Sequence, residues 1–150
     1  MAKKVTTMTV PESGDIVVYP YLWLREAAAG ETEGRKSRPS CVAVSLEKSE
    51  HHVLFLLPIT TQAPTKGTHA IEIPQLEKQR IGLEIGVRSW VVVDEYNLDI
   101  AENSYYLEPQ EPIGRLSRQF LITISREFYS ALQDKPGREV DRTGDDDRGS

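Results

Sequence analysis

Two apolar segments of strand length, joined by a short polar link, constrain the fold of this chain most strongly. The first reads CVAVSL over residues 41–46 and the second reads HVLFLLPI over residues 52–59, with EKSEH between them. Continuous apolar runs of this length, rich in β-branched residues, are typical of strands that are buried on both faces. A short link allows the two strands to pair directly as an antiparallel hairpin. The sequence therefore predicts a hairpin at the centre of a β-sheet.

Further strand-forming segments flank this hairpin, and a helix follows them. GDIVVYPY, THAIEI and RSWVVVDEYNL have the composition of strands, whereas PQLEKQRIGL predicts a short helix that ends near Gly82. After an N-cap residue, Ser117, apolar residues recur at helical spacing over residues 120–132. Many short strands followed by one terminal helix predict a mainly β domain of the α+β class, or a small barrel, with the helix packed against it.

The 150-residue chain has the length of one domain, which we place at residues 13–133 after an N-terminal arm of residues 1–12. Residues 134–150 carry six acidic and four basic side chains and almost nothing apolar, so we predict a disordered acidic tail. No apolar run approaches the roughly 20 residues that span a bilayer, and the start lacks the apolar region of a secretory signal. We therefore expect a cytoplasmic protein without a membrane segment.

The composition argues against several kinds of site. The net charge of −5 is unlike that of a general nucleic-acid coat, although it leaves room for a local basic groove. His51 and His52 are adjacent and would point to opposite faces of a strand, and Cys41 is a lone cysteine inside an apolar run. The same alternation is expected to separate Asp94 from Glu95, which argues against a paired acid–base site. We expect no bound metal and no cofactor.

Polar residues gather where the two hairpin strands begin and end. Arg38 opens the first strand in SRP and Thr60 closes the second in PITTQ, so antiparallel pairing would bring both to the same rim. A guanidinium can bind phosphate oxygens with two hydrogen bonds, and a nearby hydroxyl can donate a further one. We expect this donor-rich corner to include the neighbouring residues Arg35, Lys36, Thr61 and Gln62. If only the spacing of these residues is considered, a simpler interpretation is that Arg38 forms a salt bridge at the rim and Thr60 caps a turn.

Five short motifs occur in this chain in the same order as in a known protein family. They are GDIV, RKSRPSCVAVS, LLPITTQ, SWVVVDE and IGRLS, and they run through roughly residues 13–132. Their order resembles that of the MazF/PemK family of toxin–antitoxin ribonucleases, and YLW after the first strand is similar to the longer, PemK-like branch of growth inhibitors. The resemblance implies an SH3-like small β-barrel of MazF/PemK type, with a packed C-terminal helix, that usually forms a homodimer.

The resemblance also implies a reaction and the residues that carry it. The family cleaves single-stranded RNA such as mRNA without a metal: the ribose 2′-hydroxyl attacks the adjacent phosphate and leaves a 2′,3′-cyclic phosphate and a free 5′-hydroxyl. A cognate antitoxin protein restrains the toxin. The family's catalytic arginine and threonine fall on Arg38 and Thr60. We expect Arg38 chiefly to neutralise the phosphorane, because a guanidinium with a pKa above about 12 is a poor base, and Thr60 to donate to a non-bridging oxygen.

The chain departs from the family pattern in two places, and other functions stay open. The loop AAAGETEGRKS is long and acidic, and YNL follows VVVDE where QIR is usual, so Asn97 stands in place of a common arginine that binds RNA or the second subunit. Trp23 is a candidate for stacking on an unpaired RNA base, although such aromatics also serve in cores and dimer interfaces. The alternatives are a non-catalytic binding module on the same barrel that acts on a protein or RNA, and a silent toxin relative.

Overall fold

The computed structural model describes residues 10–32, 36–104, 106–107 and 111–143. These residues contain eight β-strands and three α-helices, joined by turns and loops. The strands are β1 (Asp15–Tyr19), β2 (Arg38–Lys48), β3 (His51–Thr60), β4 (Ala70–Glu72), β5 (Trp90–Val92), β6 (Tyr96–Ile100), β7 (Gly114–Arg115) and β8 (Glu139–Asp141). The helices are α1 (Leu24–Ala28), α2 (Gln75–Ile81) and α3 (Arg118–Asp134), and a short 3-10 helix covers Ala101–Asn103. The mainly β, α+β class predicted from the sequence is confirmed.

The predicted central hairpin is formed by β2 and β3. The two strands pair antiparallel from Ser40 opposite Pro58 to Lys48 opposite His51, with a bulge near Val42. The turn between them consists of two residues, Ser49 and Glu50, whose φ angles are 53° and 70°. Two-residue turns with both φ angles positive match the right-handed twist of the strands they join. The turn is therefore shorter than the polar link EKSEH, whose outer residues extend the ladder.

Both faces of the hairpin are buried, as its continuous apolar runs predict. On one face, Cys41 and Leu57 belong to a core cluster that also contains the apolar stripe of α3. On the other face, Val42 and Leu56 belong to a second cluster with Tyr19 of β1. Burial raises the pKa of the Cys41 thiol to about 12, so this cysteine acts as a small apolar core residue.

The strands form an open, branched sheet around β3. The order is β4-β5-β3-β2-β1-β7, with β6 beside β3 and β8 beside β6. One edge of β3 is divided, because residues 59–60 pair with β5 whereas residues 53–56 pair with β6. The expected closed barrel is therefore not formed by the strand pairs of the described residues. The expectation that the domain is of the SH3-like type stays a prediction.

Helix α3 packs as its sequence pattern predicts. Its buried residues Phe120, Ile124, Phe128 and Ala131 recur at helical spacing, and the first three lie in the first core cluster. The predicted N-cap is confirmed, because Ser117 Oγ accepts a hydrogen bond from the Phe120 amide at 3.1 Å. Within the described ranges, no helix has both the length and the apolar character needed to cross a membrane.

The segment predicted to be a disordered tail is ordered through residue 143. Strand β8 pairs with β6 in parallel, and Arg142, which follows it, is only 1% exposed. Arg142 Nη1 donates to the Pro20 carbonyl at 3.0 Å and to Asn97 Oδ1 at 2.9 Å, and its guanidinium lies 3.9 Å from the Tyr106 ring centroid. The prediction is wrong for residues 134–143, because backbone pairing, the buried side chain of Val140 and the buried cation of Arg142 hold this mainly polar segment against the domain. Residues 144–150 and 1–9 lie outside the described residues.

Candidate functional site

Arg38 and Thr60 lie at the same end of the central hairpin. Ser40 and Pro58 form the last paired position of the β2–β3 ladder at this end, and Arg38 and Thr60 each lie two residues beyond it on their own strands. Each then pairs with an outer strand: Arg38 is opposite Tyr19 in β1, and Thr60 is opposite Trp90 in β5. The shared rim expected from the sequence is therefore present in the fold.

A cleft of about 280 Å³ opens beside Thr60. Its lining includes Trp23, which precedes α1, and a polar group that comes from four separate segments: Arg25, Thr60, Gln62, Asp94, Glu95 and Arg138. Such a mixture of one large aromatic face, cations and hydrogen-bonding groups suits a polar ligand with a planar part. Because the segments are far apart in sequence, only the folded chain assembles this cleft.

Trp23 links Arg38 to the cleft. The Arg38 guanidinium carbon lies 5.2 Å from the centroid of the Trp23 ring, and that of Arg25 lies 4.9 Å from it. Both distances are within the range of cation–π attraction. Trp23 also packs edge-on against Tyr21, with ring centroids 5.3 Å apart. One indole thus holds two cations at the border of the cleft that Thr60 lines.

The Arg38 side chain has an incompletely satisfied guanidinium. Its Nε is buried and has no hydrogen-bond partner among the described residues, and no described carboxylate forms an ion pair with Arg38. Burial lowers the pKa of Arg38, and the charge of Glu26 opposes this effect. A buried donor without a partner costs free energy. The rim salt bridge suggested by spacing alone therefore has no support from the described carboxylates, and the cation is left available for an external anion.

Thr60 caps the turn that follows β3, as the simpler interpretation of its position predicts. Its Oγ1 accepts a hydrogen bond from the Gln62 amide at 3.1 Å. A hydroxyl that accepts one hydrogen bond still carries its own proton for donation. The turn contact therefore fixes the Thr60 oxygen beside the cleft and leaves its donor function intact.

The other residues expected at this corner are distributed differently. Gln62 and Trp23 line the cleft, whereas Thr61 lines a separate cavity of about 190 Å³ beside Ile59 and Ser89. Thr61 thus lies beside a different cavity from Thr60, as is usual where successive side chains along a strand point to opposite sides, and its contact with RNA stays a prediction. Lys36 is exposed and does not line the cleft. Arg35 lies outside the described residues.

Two carboxylates, Asp94 and Glu95, meet in the cleft, contrary to the sequence expectation that strand alternation separates them. The segment RSWVVVDEYNL forms two strands, and residues 93–95 lie in the bend between β5 and β6. Strand alternation does not apply there, and both side chains line the cleft while being largely buried. The acidic pair next to an apolar run was the only sequence signal for this change of direction.

The two carboxylates have different partners. Asp94 Oδ2 accepts a hydrogen bond from the His69 amide at 3.0 Å and lies 3.2 Å from Lys135 Nζ. Glu95 Oε2 accepts hydrogen bonds from the Leu24 amide at 2.8 Å and from the Tyr21 hydroxyl at 3.1 Å. Asp94 is thus part of an ion pair, whereas Glu95 is held by two neutral donors.

Asn97, expected to mark a lost RNA or dimer contact, is a buried structural residue. Its Oδ1 accepts from the Leu22 amide at 2.9 Å, and its Nδ2 donates to the Leu22 carbonyl at 2.8 Å. These bonds fix the backbone directly before Trp23. The described residues contain no group of three or more histidine, cysteine, aspartate or glutamate side chains arranged to hold a metal ion.

A scan against models of protein families and a comparison with curated protein sequences both find no match to this chain. The resemblance to the MazF/PemK toxins therefore rests on the five motifs, and the arrangement of Arg38, Thr60 and Trp23 is an independent physical observation.

Proposed function

We propose that this protein is an endoribonuclease that cleaves single-stranded RNA without a metal and acts as the toxin of a toxin–antitoxin system. One observation carries the proposal: a guanidinium without an ion pair among the described residues, Arg38, is held against Trp23 at the border of a cleft that Thr60 also lines. The motif resemblance assigns catalysis to the same arginine and threonine. A homodimer, a cognate antitoxin and a cytoplasmic location belong to the same proposal.

The cleft has the groups needed to bind an RNA strand. Every base has a π-face, so the Trp23 ring can stack on an unpaired base without selecting its identity. Arg25 and Arg138, which line the cleft, can bind the phosphates on either side of that base, and Gln62 can hydrogen-bond to a base edge or ribose. The positive charges of Arg25, Arg38 and Arg138 at or beside the cleft favour contact with phosphates despite the net charge of −5.

The reaction is an in-line displacement at phosphorus. The 2′-oxygen forms a bond to phosphorus, the bond to the 5′-oxygen breaks, and negative charge builds up on the non-bridging oxygens. Arg38 neutralises that charge, and the Thr60 hydroxyl donates a hydrogen bond to one of those oxygens. Although burial lowers the pKa of Arg38, the ordinary value is so high that charge stabilisation remains its main role.

The test is cleavage of a random-sequence, single-stranded RNA pool in the presence of EDTA. We expect products with 5′-hydroxyl ends. Thr60→Val keeps the β-branched shape and should lower kcat about 10²–10³-fold, because one preorganised donor is lost. Arg38→Ala should lower it further, almost to background, because the main positive charge at the phosphate is removed.

Arg88→Ala is the matched control. Arg88 also lies over a tryptophan, 5.1 Å from the Trp90 ring centroid, but it pairs with Glu72 and does not line the cleft. Its removal should leave cleavage unchanged. Full activity of a folded Arg38→Ala protein would contradict the proposed function, and retardation of RNA without cleavage by the wild type would favour the non-catalytic binding module.

A further inference from the structure

We propose that Glu95 is the general base that accepts the proton of the attacking 2′-hydroxyl group. This inference rests on the proposed function, since it adds a residue to the same site. Neither Arg38 nor Thr60 fills this role well: a guanidinium holds its proton up to very high pH, and a threonine hydroxyl acts here as a donor. The site as assigned so far therefore lacks a base.

The position of Glu95 suits this role. It lies in the bend between β5 and β6 and lines the same cleft as Thr60 and Trp23, while its exposure is only 7%. The Leu24 amide and the Tyr21 hydroxyl both bond to Oε2, so neither bond uses Oε1. The carboxylate is thus fixed in orientation by one oxygen, and the other oxygen is not used by these contacts. A general base must be held in this way at the border of the substrate site.

The surroundings of Glu95 tune its basicity in the direction that catalysis requires. Burial raises the pKa of the Glu95 carboxyl, the negative charge of Asp94 adds to this effect, and the bonds from Leu24 and Tyr21 together with the positive charge of Arg138 oppose it. A carboxylate whose pKa lies above its ordinary value accepts a proton more readily. Asp94 is the weaker candidate, because it forms an ion pair with Lys135, whereas the hydrogen bonds to Glu95 come from neutral donors.

The proton and electron pairs balance in this scheme. Glu95 takes the proton of the 2′-hydroxyl as the 2′-oxygen bonds to phosphorus. The bond between phosphorus and the 5′-oxygen breaks with its electron pair on that oxygen, which takes a proton from solvent water. Arg38 and Thr60 stabilise the charge on the non-bridging oxygens throughout. Glu95 finally loses its proton to solvent, which restores the starting state.

The first test is Glu95→Gln, assayed on an RNA oligonucleotide that the wild type cleaves. A glutamine oxygen can still accept from the Leu24 amide and the Tyr21 hydroxyl, so the fold and the position of Trp23 should be kept. We expect kcat to fall about 10²–10⁴-fold with little change in KM, and the loss of rate at low pH that a carboxylate base predicts for the wild type should be absent from the variant. Thermal unfolding of the variant serves as the folding control.

The second test is the pH profile of Tyr21→Phe. The Tyr21 hydroxyl stabilises the charged form of Glu95, so its removal should raise the pKa of the carboxyl. The acidic limb of kcat should then move to higher pH, with the plateau rate retained. Tyr96→Phe is the control: the Tyr96 hydroxyl bonds to Glu139, and Tyr96 does not line the cleft, so the limb should not move. A purely structural Glu95 would give no such shift.

The outcomes separate this inference from the proposed function. If the wild type cleaves RNA and Arg38→Ala does not, but Glu95→Gln retains wild-type kcat and pH dependence, Glu95 is not the base and the proposed function stands. An unmoved acidic limb in Tyr21→Phe also overturns the assignment. If the wild type itself leaves RNA intact, the proposed function fails, and the role of Glu95 fails with it.

Discussion

Trp23 is the single residue on which the arrangement of the candidate site most depends. It lies beside two guanidinium groups, lines the cleft and is placed by the bonds between Asn97 and the backbone of Leu22. The sequence marks it as an aromatic residue after the first strand that could stack on an RNA base or serve in a core or a dimer interface. Its contact with Arg38 joins residues from two different segments, so no local pattern could have predicted it.

Replacing Trp23 should weaken RNA binding more than it changes the fold. Stacking of one base on an aromatic side chain contributes roughly 1–3 kcal/mol, so Trp23→Leu should raise the Kd for single-stranded RNA by about tenfold or more. Trp23→Phe keeps a π-face and should lose less. Fluorescence anisotropy of labelled RNA, in a Thr60→Val background that slows cleavage, measures the effect. Equal affinity of the Leu and Phe variants would argue against stacking.

At the level of elements, the approach of β7 to α2 depends on the absence of a side chain at Gly114. A Cβ at this position would lie 2.5 Å from the Cα of Ile81 and 3.1 Å from the Arg80 carbonyl oxygen. Both are backbone atoms, which cannot rotate away. The glycine in the IGRLS motif is therefore explained by packing alone.

Gly114→Ala should lower the free energy of unfolding by about 1–3 kcal/mol, because the added methyl group forces strand and helix apart. Gly86→Ala is the matched control, since a Cβ there meets nothing within 4 Å and its φ is not positive. Chemical denaturation of both variants measures the difference. Equal stability of the two variants would mean that β7 and α2 can separate without cost.

Elements whose signal is local were predictable from the sequence, and those that depend on distant partners were not. The hairpin of β2 and β3, the helix α2 ending at Gly82 and the N-cap at Ser117 each follow from neighbouring residues. Strand β8 is held by pairing with the edge of β6 and by the buried Arg142, and the polar composition of this segment predicts neither contact. The bend at residues 93–95 was likewise missed, because an apolar run continuing into YNL has the period of one unbroken strand.

The same limit applies to the candidate site. Hairpin geometry alone predicts that Arg38 and Thr60 lie at the same rim, since antiparallel pairing determines which strand ends are adjacent. Arg138 and Glu95 reach the cleft from segments that the sequence gives no reason to associate with it. Their position at the cleft depends on the branched sheet, in which one edge of β3 pairs with two different strands.

For the molecule as a whole, the charge distribution predicts a modest dependence of RNA binding on salt. The net charge is −5, yet three arginines lie at or beside the cleft: Arg25, Arg38 and Arg138. If each neutralises one phosphate of a single strand, the logarithm of the binding constant should fall with the logarithm of salt concentration at a slope of about −2. Anisotropy titrations of the Thr60→Val protein at several salt concentrations give this slope. Arg138→Ala should make it shallower by about 0.7, and a slope near zero would exclude phosphate contacts by these arginines.

The participation of β8 in the fold has a consequence for the timing of synthesis. Arg138, which lines the cleft, and Arg142, which bonds to the Pro20 carbonyl, both follow α3 in the chain. A nascent chain that has emerged from the ribosome only as far as α3 lacks one wall of the cleft and the anchor of the segment before Trp23. The cleft is therefore complete only after the residues that follow α3 have been synthesised.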